Sequence, residues 1–352
     1  MNARNVLPEL DVSSFLSDPS SERAQAFVRV LREACHDPGF CYLWGHDVPP
    51  MLDNDIMAAA SEFFALPQAQ RRALAIGHSP HFRGYTILGD ERTGGRADWR
   101  DQIDIGPEEP ALTMGPTDPA YLRLRGPNQW PASLPDMRDK VTAWMQAMER
   151  LGTAMMRALA LGLGQPLGHF DAALAPNPYP RVKIIRYPAI EASRKQGGSP
   201  GGYSVDQVPQ QGLGMHHDSG LLSFILQDDV GGLQVETANG LVEATPRPGA
   251  YVMNLGEMLQ RATRGYLRAT RHGVRSPPAG RERISIAYFF NPRLDAVFQP
   301  LTLPDELAGQ ARGGENVDHN DPIHATFGEN TLKIRMRAHP DVTAAYYRDI
   351  AQ

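Results

Sequence analysis

The chain is poor in the features that mark several large protein classes. Its 352 residues include only two cysteines, Cys35 and Cys41, too few for a disulfide framework or a four-thiolate zinc site. Both are expected as small, buried apolar side chains. No stretch approaches the ~20 apolar residues that a membrane-spanning helix needs, and M-N-A-R-N-V-L-P-E-L lacks the apolar core of a signal peptide. The cytoplasm is the expected compartment. Lysine and arginine number 35 against 40 acidic residues, a net charge of −5, and are scattered instead of massed in one run. Nucleic acid and anionic membranes are therefore poor partners. There is no H-E-x-x-H, the helix that gives zinc hydrolases two ligands and a general base, and no internal repeat. A globular chain remains, 41% hydrophobic and able to bury a sizeable core, expected to act on a small molecule as a monomer or weak homo-oligomer.

Periodicity sets out the architecture. Ala24, Phe27, Val28, Leu31 and Ala34 recur at helical spacing and stop at Pro38-Gly39. A strand follows over 40–44, then helices over about 51–65 and 68–75. From 77 to 135 regular periodicity fades, which predicts a covering loop with H-F-R-G-Y (His81 to Tyr85) and D-W-R-D (Asp98 to Asp101) embedded in it. A helix returns over 136–163, its methionine stripe read as core packing. Strands then dominate, over 182–187, 214–218, 221–226, 233–236, 250–255 and 284–289, punctuated by Asn239-Gly240 and Pro248-Gly249. Many short strands with Gly/Pro turns predict a mainly β protein with flanking helices around a double-sheet jelly roll closed on a pocket. Three regions, 1–135, 136–300 and a C-terminal extension 301–352 with a helix, are expected to form one integrated unit.

The chemistry concentrates in G-L-G-M-H-H-D-S-G, Gly212 to Gly220. On a strand, alternate side chains share a face, so His216 and Asp218 point one way and His217 the other. With His272 from R-A-T-R-H-G-V-R they make two imidazoles and one carboxylate. That set leaves three positions of an octahedral ion open, the pattern of non-haem Fe(II) oxygenases, although zinc also accepts it. Further on, Arg283 and Ser285 in R-I-S-I-A-Y-F share a strand face. There a guanidinium fork and a hydroxyl can grip a carboxylate.

H-x-D, a distant histidine and R-x-S resemble the iron(II)- and 2-oxoglutarate-dependent oxygenases of the isopenicillin N synthase-like superfamily. D-P-G-F-C-Y-L-W-G-H (Asp37 to His46), R-G-Y (Arg83 to Tyr85), R-Y-P (Arg186 to Pro188), Q-D-D-V-G-G-L-Q-V (Gln227 to Val235), N-L-G-E-M-L-Q (Asn254 to Gln260) and A-Y-F-F-N-P (Ala287 to Pro292) are similar to its segments, in its order. The resemblance implies a double-stranded β-helix with His216, Asp218 and His272 on Fe(II). It also implies 2-oxoglutarate against Arg283, Ser285 and Tyr187, with Lys183 as a further basic contact on the Tyr187 face. O2 and 2-oxoglutarate would then oxidise a small organic molecule, by default through hydroxylation, giving succinate and CO2. Two other readings fit the same motifs. One is an Fe(II) oxidase of the isopenicillin N synthase type, which uses a similar R-x-S without 2-oxoglutarate; the other is a non-catalytic metal-binding jelly roll.

Substrate selection is expected in the covering segments, since loops on a rigid barrel carry such variation. Arg83 is nominated for an anionic group and Tyr85 for stacking or hydrogen bonding, together with Asp98 to Asp101 and the Gly-rich connection around Tyr203.

Overall fold

The computed structural model describes residues 6–189, 211–313 and 324–350; the connection around Tyr203 lies outside them. Fourteen strands are present among the described residues. They are β1 (Glu9–Asp11), β2 (Phe40–Trp44), β3 (Gly84–Thr86), β4 (Arg92–Thr93), β5 (Arg96–Ala97), β6 (Asp101–Ile105), β7 (Arg181–Tyr187), β8 (Gln211–His216), β9 (Leu222–Gln227), β10 (Leu233–Thr237), β11 (Gly240–Glu243), β12 (Tyr251–Leu255), β13 (His272–Arg275) and β14 (Arg283–Phe290). Eight of them form one sheet in the order β1-β2-β12-β9-β14-β7-β6-β3. Four form a second, β11-β10-β13-β8, and β4-β5 is a two-stranded ribbon. Pairing is antiparallel except between β1 and β2. The mainly β jelly roll with flanking helices expected from the strand pattern is the fold observed.

Alternation along each strand builds two cores. On β12, Tyr251, Met253 and Leu255 pack outward under the helices, whereas Val252 faces inward. On β14, Ile284, Ile286, Tyr288 and Phe290 join the outer core and Ala287 the inner one. The outer core is closed by Met137–Gly162, whose Trp144 and Met148 are fully buried. A Cβ at Gly152 would fall 2.4 Å from the Phe290 ring, so only glycine lets this helix lie so close to β14. Glu22–His36 starts where the Ser21 hydroxyl accepts from the Ala24 N–H at 3.2 Å. Its buried face is the apolar set read from spacing. Cys35 and Cys41 are buried free thiols, and burial pushes both up, Cys41 to about 12. No described helix is long and apolar enough to cross a membrane.

The stretch from 77 to 135 is where the structure departs most from expectation. It is not simply a covering loop: β3 and β6 extend the large sheet beyond β7. Its periodicity is hidden because the buried positions of D-Q-I-D-I are themselves charged or polar. Asp101, Gln102 and Asp104 are all at most 1% exposed. Asp101 accepts from Arg71 at 2.8 Å, from Arg186 at 2.9 and 2.8 Å, and from the Tyr85 hydroxyl at 2.7 Å. Removing the acid from such a cluster leaves buried cations unpaired. Asp101→Ala is therefore expected to destabilise the fold by about 3–5 kcal/mol, measured as a lower urea midpoint.

Candidate active site

The two sheets enclose a cavity of about 610 Å³ whose wall includes His216, Asp218, His272, Arg283, Ser285 and Tyr187. His216 ends β8 and pairs directly with His272 at the start of β13. Asp218 lies two residues beyond the strand, and the three donor groups fall within 4.8 Å of one another. His216 Nε2 is 3.6 Å from Asp218 Oδ1, and His272 Nε2 is 3.8 Å from Oδ2. Each histidine turns its Nδ1 to a backbone carbonyl, Gly214 O at 2.9 Å and Thr270 O at 3.0 Å. Those bonds fix the Nδ1–H tautomer and leave each Nε2 lone pair directed at the carboxylate, the arrangement a metal ion requires.

The carboxylate is held as firmly. Asp218 Oδ2 accepts from the Ser223 hydroxyl at 2.5 Å and from Asn254 Nδ2 at 2.8 Å. Burial alone would raise its pKa, but His272, His216 and Ser223 overcome that and hold it well below the ordinary range. Burial, then the neighbouring His216, pushes His272 down to about 4, so its imidazole is neutral and able to ligate. Ser223 and Asn254 escaped the sequence reading as supporting residues. Their signal was a polar side chain in the middle of an otherwise apolar strand. His217 is not in the cluster: its Nδ1 turns to Ala269 O at 2.9 Å, as alternation predicted.

At the other end of the cavity Arg283 is 1% exposed. Its Nη1 donates to the Ser285 hydroxyl at 3.0 Å and its Nη2 to Gln227 Oε1 at 2.9 Å, while its Nε is buried without an acceptor. Tyr187 pairs with Arg283 across β7 and β14, its ring 5.0 Å from the guanidinium carbon. Ile225, Leu213 and Val274 line the channel between this end and the histidines. A buried cation at the end of an apolar channel fits the far carboxylate of a short dicarboxylic acid.

Two family models match the chain: non-haem dioxygenase in morphine synthesis N-terminal over residues 7–133, and 2OG-Fe(II) oxygenase superfamily over 183–292. The 2-oxoglutarate-dependent dioxygenase frbJ of Dothideomycetidae sp. (strain 11243) is 32% identical over 96% of this chain and 90% of its own. The chain belongs to the 2-oxoglutarate–Fe(II) oxygenase superfamily. Homoarginine-6-hydroxylase 2-ODD-C23.1 of Arabidopsis thaliana is 29% identical, with 93% of this chain and 95% of that one covered. A full-length Neurospora crassa protein solved in complex with alpha-KG superimposes with a TM-score of 0.72 at 23% identity, covering 95% of this chain and 98% of that one. This oxygenase is thus a dioxygenase that uses Fe(II) and 2-oxoglutarate.

The two residues nominated for substrate contact are elsewhere. Arg83 is 1% exposed, donates to Leu124 O at 3.3 Å and lies over the Tyr179 ring. Tyr85 is 2% exposed with its hydroxyl on Asp101. Neither lines the cavity; R-G-Y is a β3 segment that ties the N-terminal region to the large sheet. Within D-W-R-D only Arg100 reaches the cavity wall, to which Arg92 to Gly95 of the ribbon also contribute. The C-terminal helix Phe327–Ala338 supplies the wall that sequence reasoning missed, through Phe327, Thr331 and Ile334. It is fastened by Arg335, which pairs with Asp104 at 3.0 Å and donates to Phe82 O at 2.8 Å. Tyr85→Phe is expected to lower stability by about 1 kcal/mol and to leave 2-oxoglutarate turnover unchanged, read by denaturation and a succinate assay.

Proposed function

We propose that His216, Asp218 and His272 hold Fe(II), and that Arg283, with Ser285 and Tyr187, holds the distal carboxylate of 2-oxoglutarate. The reaction is hydroxylation of a small organic molecule lodged in the remainder of the cavity. The observation that carries this reading is that one cavity has the His/Asp/His cluster and the buried Arg283 end in the same wall. Bound iron would supply the site of O2 chemistry, with O2 as oxidant and 2-oxoglutarate as co-reductant: one O2 oxidises a substrate C–H to C–OH and 2-oxoglutarate to succinate and CO2. The chain's own residues do the positioning. Gly214 O and Thr270 O orient the two imidazoles, and Ser223 and Asn254 fix the carboxylate. The apolar channel past Ile225, Leu213 and Val274 excludes water, which strengthens the Arg283 contact.

An oxidase that holds its substrate's carboxylate on Arg283 would use the same cavity, whereas a non-catalytic jelly roll would have no use for Arg283. An anaerobic Fe(II) titration with and without 2-oxoglutarate, followed by O2 and a succinate assay, separates the three. Succinate formed in proportion to 2-oxoglutarate consumed is expected. Substrate oxidation without 2-oxoglutarate would establish the oxidase reading, and metal binding with no O2 uptake the non-catalytic one.

A further inference from the structure

The inward face of the large sheet carries a cation that the protein pairs only loosely. Arg181, Lys183, Ile185 and Tyr187 alternate along β7 and all line the cavity. Tyr187 marks the Arg283 end. Arg181 is six residues away, about 20 Å at the strand rise of about 3.3 Å per residue. It pairs with Phe289 on β14, and Phe289 pairs with Ser223 on β9, the donor to Asp218. Arg181 is therefore about two strand spacings, roughly 9.5 Å, across the sheet from the support of the carboxylate ligand. With 2-oxoglutarate reaching from the metal cluster toward Arg283, Arg181 stands on the side left for substrate.

Each neighbouring cation has an acid within 3.1 Å and Arg181 does not. Lys183 is paired with Glu91 at 3.1 Å, Arg100 with Glu91 at 2.7 Å, and Arg335 with Asp104 at 3.0 Å. Arg181 has only Asp104 at 4.0 Å, through an oxygen that also faces Arg335 at 3.0 Å, while the other oxygen accepts from Gln102. Its Nε is buried without an acceptor, and no side-chain hydrogen bond to its guanidinium occurs among the described residues. The group lies over the Phe289 ring at 4.8 Å, which holds it flat against the wall. Burial, then Arg335, pushes it down to about 10, so it is still charged at neutral pH. A mostly buried cation lining a partly apolar cavity without a close partner is stabilised by an incoming anion. Phe289, Phe327 and Ile334 beside it offer apolar surface to the rest of that molecule.

We propose that Arg181 selects the substrate, which carries a carboxylate that its guanidinium binds while the apolar body lies along Phe289 and Phe327 and presents a C–H bond to the metal cluster. This rests on the reading of the site given above. The test uses the full chain with Fe(II) and 2-oxoglutarate under anaerobic conditions. The probes are phenylacetate, 3-phenylpropanoate, 4-methylpentanoate, their primary amides, and phenyl phosphate. Binding is followed by calorimetry and by the visible charge-transfer band of the Fe(II)·2-oxoglutarate complex.

At least one acid is expected to bind about tenfold or more tightly than its amide, because a fixed guanidinium discriminates charge and geometry together. Arg181→Gln should erase that preference while keeping the charge-transfer band, and Arg181→Lys should restore part of it. Acids and amides binding alike, acids that leave the band unmoved, a preference that survives Arg181→Gln, or phenyl phosphate binding in place of every acid would overturn the proposal. A wild-type enzyme that shows no charge-transfer band and forms no succinate would instead refute the metal and 2-oxoglutarate assignment, so the two failures are distinguishable.

Discussion

Asp218→Ala is expected to abolish tight Fe(II) binding, with His216→Ala and His272→Ala close behind, whereas His217→Ala should leave it largely intact. Asp218 supplies the single negative charge of the cluster, and its two oxygens stand 3.6 and 3.8 Å from the two imidazole nitrogens. Without it, two imidazoles alone would face a divalent ion, with no anionic ligand in the cluster. Supporting residues of metal ligands typically contribute about 10–100-fold to affinity, so losing a ligand should exceed that range. Ser223→Ala, which removes the hydroxyl from Asp218 Oδ2, should fall within it. Equilibrium dialysis with Fe(II), or with Mn(II) as an air-stable substitute, reads all five variants. Full metal occupancy in His272→Ala would refute the ligand set.

The second large effect is on the cosubstrate. Arg283→Ala is expected to raise the 2-oxoglutarate dissociation constant by roughly two to three orders of magnitude while sparing the metal. The guanidinium is 1% exposed, so a carboxylate bound there has left water and depends on it. Removing one partner of such a pair typically costs about 3–5 kcal/mol, and 1.4 kcal/mol is about tenfold. Arg283→Lys should recover only part, since an ammonium cannot donate to Ser285, Gln227 and a carboxylate with the same fork. Ser285→Ala removes one acceptor of the guanidinium and should cost far less, about 1 kcal/mol. A 2-oxoglutarate dissociation constant unchanged in Arg283→Ala would mean that the dicarboxylate lies elsewhere and would refute the role given to Arg283.

These two ends of the site were legible in the sequence for different reasons. His216 and Asp218 are local: two residues apart at a strand end, they needed only side-chain alternation. Arg283 and Ser285 are likewise on one face of β14, whereas Tyr187 was named only through the family resemblance, and its place opposite Arg283 is a matter of the β7–β14 pairing. His272 could be proposed but not located, because H-G-V-R is too short to announce a strand. What places it is the β13 pairing with β8, which sets it directly opposite His216.

The nomination of Arg83 and Tyr85 failed because a charged, aromatic, aperiodic stretch reads as a surface loop. Here its charges are buried against one another. Asp101, Arg71 and Arg186 form a polar core that hides the strand period of β6. The C-terminal helix was visible as a helix, yet its role was not. Its amphipathic pattern reports only that one face is covered, not that Phe327 and Ile334 line the cavity.

By itself the sequence determined the jelly-roll class, the strand faces, the donor chemistry of the His/Asp/His cluster and the guanidinium and hydroxyl that share one face of β14. Those depend on patterns of two to four residues and on side-chain type. The tertiary structure alone decided which cations are spent on neighbouring acids and which are left to a ligand. Lys183 and Arg181 are two residues apart on one strand face, and nothing in the sequence distinguishes them. Glu91, arriving from the β4-β5 side, neutralises the first, while Arg335 from the C-terminal helix takes the acid nearest the second. Charge balance inside a cavity is set by contacts between segments far apart in the chain, and no local pattern records them.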